Sequence, residues 1–221
     1  QHTRAHRYPR HRLDTGGDDD VIRARDHALC GEVNRLLAAA TLAVDGGAGN
    51  ALREPSGQRR IAGDVDGLVA HLGDRAGDDV VDLNGIDEQP LTTQPLEFVD
   101  TAGAGYDEQL EPDGESRLNP GEADVVAQLA EALVAAGLAA SDLAVMAPYA
   151  AQVRYLRGRV QLPGIEIDSV DGFQGREKEA VIISLVRSNA SGELGFLADV
   201  RRMNVALTRA RYRLYLAHLP D

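Results

Sequence analysis

The run Ala180-Val-Ile-Ile-Ser-Leu-Val186 carries no charge and is rich in β-branched residues, the pattern of a strand covered on both faces. Such a strand needs a layer above it and a layer below, and the surrounding sequence supplies both. Leu96-Glu-Phe-Val-Asp100 and Leu143-Ala-Val-Met-Ala147 read as further buried strands, the second closed by Pro148. Shorter strands are predicted at Ile165–Asp168 and Leu214–His218. Helices fall between them. Asn119-Pro120-Gly121-Glu122 is a helix start, with Asn119 as N-cap, Pro120 at the first helical position and Glu122 reaching back as a capping-box partner. Val125, Leu129 and Leu133 then keep a period of four up to a stop at Gly137. Two more helices are predicted, from Ala150 to Val160 and from Val200 to Arg211. The alternation predicts an α/β fold, a parallel sheet with helices on both faces. In such sheets chemistry collects at the carboxyl ends of strands. The polar loops after Asp100, after Ala147 and between Asp168 and Glu179 are the candidates, joined by Arg201-Arg-Met-Asn204.

Composition divides the chain near Leu91. The first ninety residues hold one aromatic, Tyr8, against eight in the remainder. They are crowded with Gly, Asp, Ala and Arg, and only Asp26–Val44 and Leu68–Leu72 show any apolar periodicity. Residues 1–90 are therefore expected to be a loosely packed or poorly ordered segment, and 91–221 the folded domain. His2, His6 and His11 among Arg4, Arg7, Arg10 and Arg12 read as a solvated basic tail, since no carboxylate or Cys stands nearby at ligand spacing; no metal site is expected. The single cysteine, Cys30, excludes an internal disulfide. With no apolar stretch near the ~18–20 residues of a membrane span, the expectation is a cytoplasmic protein with no membrane partner. The net charge is −12, so any contact with nucleic acid must rest on a local groove.

Three segments carry chemistry. In Asp168-Ser-Val-Asp-Gly-Phe-Gln-Gly-Arg-Glu-Lys-Glu179, Gly172 and Gly175 permit close backbone approach to an anion, and Ser169 adds a hydroxyl. Glu177 is suited to ribose hydroxyls. In Arg201-Arg-Met-Asn-Val-Ala-Leu-Thr-Arg-Ala-Arg211, a helix would put Arg202 and Arg209 near one face, a doubled cation for a phosphoryl group. In Ala147-Pro-Tyr-Ala-Ala-Gln152, Tyr149 can stack on a base and Gln152 can hydrogen-bond a nucleotide or backbone.

In order and spacing these segments, with Pro95–Gly103, Ser116–Glu122, Val186–Asn189 and Gly195-Phe-Leu197, resemble the second motor domain of superfamily 1 DNA/RNA helicases. The branch is that of the immunoglobulin mu-binding protein and the nonsense-mediated decay helicase. The resemblance covers about Leu96 to Leu219. It implies a RecA-like sheet, the P-loop NTPase fold without a P-loop. It further implies that Arg209 touches the γ-phosphate of ATP held by another motor domain, with Arg202 a coupling residue beside it. Glu177 would bind ribose; Gln174, Gly175 and Arg176 would sit where nucleotide state is sensed. Ser169, Pro148, Tyr149 and Gln152 would contact single-stranded DNA or RNA.

One departure governs what the chain can do. ATP hydrolysis in this family needs G-x-x-x-x-G-K-[ST], and the only lysine, Lys178, lies in Gly-Arg-Glu-Lys. The pairs Asp87-Glu88 and Asp107-Glu108 do not end β-branched strands and read as solvated turns rather than a magnesium box. The expectation is the responding half of a helicase motor, a fragment or truncated product. ATP and Mg2+ would be engaged only beside a first motor domain carrying the phosphate loop. A non-catalytic module that binds single strands or a partner, and a degenerate helicase fragment, are the alternatives.

Overall fold

The computed structural model describes residues 95–217 apart from positions 100, 102, 103, 113, 190 and 192. The readings made for residues 1–90, Asp87-Glu88 included, lie outside the described residues. The elements in chain order are β1 (Leu96–Val99), the short pair β2 (Gln109–Leu110) and β3 (Arg117–Leu118), α1 (Pro120–Ala135), β4 (Leu143–Ala147), α2 (Ala150–Arg159), β5 (Glu166–Ser169), β6 (Lys178–Ser184), α3 (Val200–Leu207) and β7 (Ala210–Ala217). Five strands form one sheet in the order β1-β7-β6-β4-β5, with every pairing in it parallel. β2 and β3 form a separate antiparallel hairpin.

β4 and the stretch Ala180–Ile183 of β6 are uncharged because they pack on both sides. Val145, Ala147 and Ile182 join Leu129 and Leu133 of α1 and Leu156 of α2 in one core. Their neighbours Ala144, Met146, Val181 and Ile183 point the other way, to Met203, Ala206 and Leu207 of α3. Alternate residues of a strand face opposite sides, so a stretch covered on both faces is apolar at successive positions. Connections that move toward β5 carry α1 and α2 on the first face; those that return toward β7 run over the second. A uniform crossover hand requires that split.

One crossover contains no helix. Between β5 and β6 the chain passes over β4 as residues 170–177, a series of turns closed by hydrogen bonds from Phe173 N to Ser169 O, Gln174 N to Asp171 O and Arg176 N to Phe173 O. Phe173 is fully buried beneath this segment and stands in for a helix face. Gly175 has φ +82, a left-handed turn that favours glycine.

Three expectations need correction. The last strand starts at Ala210 and not at Leu214, because β7 is already paired there with Lys178 of β6. The last helix ends at Leu207, not Arg211, because Thr208 Oγ1 donates to the carbonyls of Asn204 and Val205 and β7 begins at Ala210. The start of α1 is only half a capping box. Asn119 Oδ1 accepts from Glu122 N at 3.0 Å, but the Glu122 carboxylate turns away from Asn119 toward Ser184 and Val186.

Leu133 is 2% exposed and packs α1 onto the sheet. Leu133→Ala is expected to destabilise the domain by about 2–5 kcal/mol, read as a lower urea midpoint with an unchanged slope.

Candidate nucleotide and nucleic-acid interface

Parallel strands in register give the sheet an amino edge and a carboxyl edge, and the candidate residues are divided between them. β6 and β7 start side by side, with Lys178 opposite Ala210, so the residues just before them, Glu177 and Arg209, are neighbours at the amino edge. Lys178 N donates to Arg209 O at 3.1 Å, and Arg209 Nη1 reaches Arg176 O at 3.4 Å. The Arg209 guanidinium is turned inward: Nε donates to Val205 O at 2.9 Å and Nη2 to Thr208 Oγ1 at 2.8 Å, and the residue is 5% exposed. Glu177 is half-buried beside Arg211, whose Nε lies 3.5 Å from its carboxylate. The expectation that these groups would gather at the carboxyl ends of strands is corrected here. The helix-free crossover carries the chain from the carboxyl end of β5 to the amino end of β6 and delivers Glu177 there.

Arg176 is committed elsewhere. Its guanidinium pairs with Glu166 and with Asp168, the latter at 2.8 Å, and lies over the Phe173 ring at 4.5 Å. Gln174 and Gly175 are exposed on the same segment. Gly172 is small for a local reason: a Cβ there would meet the Asp168 carboxylate at 2.6 Å, so it accommodates a protein anion.

At the carboxyl edge β4 and β5 end together at Ala147 and Ser169. Pro148 and Tyr149 follow β4, both half-buried, and Ser169 Oγ accepts from Gly172 N at 3.0 Å. Arg202 belongs to this edge. It lies 3.5 Å from Asp171 and 3.6 Å from Asp199, with its guanidinium over Phe196. The sequence placed Arg202 and Arg209 on one helical face. Because α3 stops at Leu207, Arg202 sits toward the start of the helix and Arg209 beyond its end. The five residue steps from Arg202 to Leu207 alone rise about 7.5 Å.

Gln152 is not at a surface. It is fully buried; its Oε1 accepts from Asn119 N at 2.8 Å, and its Nε2 donates to Asn119 O and to Ser184 Oγ. That saturated amide explains its place in the sequence, and the expectation of a direct nucleic-acid contact is withdrawn. Ser184 Oγ in turn donates to Glu122 at 2.5 Å, and both Glu122 oxygens accept from Val186 N at 3.0 and 3.1 Å. Val186 has φ +74, strained for a β-branched residue. The hydrogen bond that its amide donates to Glu122 holds it, and Arg187, 3% exposed, is thereby aimed at Glu108 at 3.2 Å and at the Glu193 carbonyl. Glu108 is consequently no solvated turn: only 6% of its side chain is exposed, and it also pairs with Arg117 at 2.7 Å. Sequence reading missed the Glu122 clasp because Asn-Pro-Gly-Glu already had a sufficient local explanation as a helix start.

Among the described residues, no group of three His, Cys, Asp or Glu is arranged to hold a metal, and no helix is long and apolar enough to cross a membrane.

A five-stranded parallel sheet with helices on both faces is an α/β fold of the RecA-like kind. The family model described as "AAA domain" matches residues 71–218, and the chain belongs to that family, in its superfamily 1 DNA/RNA helicase branch. It is 54% identical over 138 residues to DNA-binding protein SMUBP-2 of Rattus norvegicus, covering 62% of this chain and 14% of that protein. It is 44% identical over 142 residues to DNA polymerase alpha-associated DNA helicase A of Schizosaccharomyces pombe, covering 61% and 22%. Against a Regulator of nonsense transcripts 1 homolog of Neurospora crassa the identity is 38% over 140 residues, covering 59% and 12%. The chain thus spans less than a quarter of the length of each of these relatives.

Burial pushes the Glu122 carboxyl up to about 8, against the opposing pull of its hydrogen bonds from Ser184 and Val186, and burial alone pushes Glu97 up to about 7. Both values lie above those of the unfolded chain, so the folded state binds protons that the unfolded state has lost. The stability they contribute is complete below about pH 4.5 and is lost as pH rises through about 7 to 8. The melting temperature is therefore expected to fall between pH 5 and pH 8. Glu122→Gln should flatten the upper part of that fall, measured by thermal denaturation across the pH series.

Proposed function

We propose that this chain is the second motor domain of a superfamily 1 DNA/RNA helicase. In this reading the folded unit is residues 91–221, and it completes an ATP site whose phosphate loop lies on a separate lobe. Arg209 turns out from its backbone acceptors to meet the γ-phosphate, where an arginine stabilises charge spread over the transferring group. Glu177 accepts hydrogen bonds from the ribose. Gln174 and Gly175 lie on the exposed turn that such a lobe would approach, while Arg176 positions that turn through its pairs with Glu166 and Asp168. In this reading the Mg2+ that accompanies ATP is held by the other lobe, beside its phosphate loop. At the opposite edge Pro148, Tyr149 and Ser169 meet single-stranded DNA or RNA.

The observation that carries this reading is the adjacency of Glu177 and Arg209 at the amino edge, tied by the Lys178 and Arg176 backbone hydrogen bonds. Residues far apart in sequence but adjoining across two strand starts form a surface that a second lobe can close upon. A hydrolytic step needs phosphate neutralisation that the chain's single lysine, bonded to Ser141 O and paired with Glu166, does not provide.

The chain alone is expected to show no ATPase with or without single strands. Placed in the DNA helicase A of Schizosaccharomyces pombe in exchange for the matching segment, it should support nucleic-acid-stimulated ATP turnover. Arg209→Ala in that chimera should lower kcat by about 10³-fold or more, and Glu177→Ala should raise KM for ATP. Robust turnover by the isolated chain, or a chimera indifferent to Arg209→Ala, would overturn the reading.

A further inference from the structure

Phe196 has no part in the nucleic-acid contacts proposed above, yet it is held from several sides at the carboxyl edge. It lies on a short 3-10 turn, Gly195–Ala198, between β6 and α3, and is half-buried. Its amide donates to the Tyr149 hydroxyl at 3.2 Å, and the two rings meet edge-on, 6.3 Å apart at 60°. Gly195 has φ +52, and a Cβ there would fall 2.7 Å from the Tyr149 hydroxyl and 3.3 Å from the Arg187 guanidinium. Only glycine lets the turn close against Tyr149. From beneath, Arg187 holds the approach to the turn with two hydrogen bonds to the Glu193 carbonyl, at 3.0 and 2.6 Å.

Above the ring lies Arg202, its guanidinium carbon 5.3 Å from the centroid. Its ion pairs to Asp171 and Asp199, at 3.5 and 3.6 Å, are too long for good hydrogen bonds, and all three side chains are about half exposed. The aromatic pair is thus fixed from below, while the cation above it is loosely held and replaceable. A nucleotide offers both groups what they lack: a phosphate for bidentate, charge-assisted bonds to the guanidinium, and a base of large π-face for the ring. Asp171, exposed beside them, opposes an approaching phosphate and competes for the cation.

We infer that Phe196 and Arg202 form a one-nucleotide site on the single strand: the guanidinium leaves Asp171 and Asp199 for a backbone phosphate, and a base stacks on the ring face it uncovers. This rests on the reading that the carboxyl edge meets a single strand. It moves Arg202 from the nucleotide-coupling role implied by resemblance to the strand.

The chain contains no tryptophan, so Phe196→Trp introduces a single fluorescent reporter. The test titrates the 221-residue chain with fluorescein-labelled dT12 and U12 at low salt by anisotropy, and the Phe196→Trp chain with unlabelled oligomers by fluorescence. The wild type should bind, and the tryptophan should be quenched with the same midpoint. Phe196→Leu, which keeps apolar volume, should weaken binding about tenfold. Arg202→Ala should weaken it and reduce the slope of log affinity against log salt by about one. Asp171→Asn should tighten it. Binding by the wild type with no quenching, and with Phe196→Leu and Arg202→Ala unchanged, overturns this site while leaving the strand-binding edge intact. No binding by the wild type to either oligomer overturns both.

Discussion

The carboxyl edge depends on one buried chain of hydrogen bonds that runs from the first turn of α1 to the end of β6. Asn119 caps the helix, Gln152 bridges Asn119 to Ser184, and Glu122 receives Ser184 and the amide of Val186. A polar group buried without a partner costs more than a satisfied one contributes, so such a network is tolerated only when complete. Here it is used to hold a β-branched residue at positive φ. The turn that follows sends Arg187 under the surface to brace Glu108 and the carbonyl of Glu193. The loops that present Tyr149 and Phe196 are therefore supported from the interior.

The two chemistries proposed for this domain lie at opposite edges of the same sheet. Arg209 and Glu177 stand where β6 and β7 begin, Tyr149 and Ser169 where β4 and β5 finish. α3 and the helix-free crossover are the two segments on the second face that run between these ends. Each carries candidate residues at both: Arg202 and Arg209 around α3, Ser169 and Glu177 flanking the crossover.

Much of the sheet was legible because β-branched runs and a period of four are local signals. The strand Leu143–Ala147 was read to the residue, and the helices starting at Pro120 and Ala150 within one residue at the far end. Errors arose where a tertiary partner outbid the local pattern. Thr208 ended α3 early by turning its hydroxyl onto the carbonyls of Asn204 and Val205, which no periodicity reveals. Glu122 abandoned the capping box for β6, sixty-two residues away at Ser184. Gln152, polar beside an exposed turn, looked like a contact residue but was the keystone of the buried network. The candidate arginines were identifiable as chemistry, but not their allocation to two edges, because that depends on a crossover made without a helix.

That crossover leaves the chain no slack. Residues 170–177 must clear the width of one strand and the full length of the sheet while keeping Phe173 in the core and the Arg176 carbonyl within reach of Arg209. A helix can gain a turn and re-pack, but this segment can lengthen only by lifting its buried ring or releasing its grip on Arg209. Although irregular by shape, it has the dimensional tolerance of a machined spacer, and a one-residue insertion there would be felt at both ends.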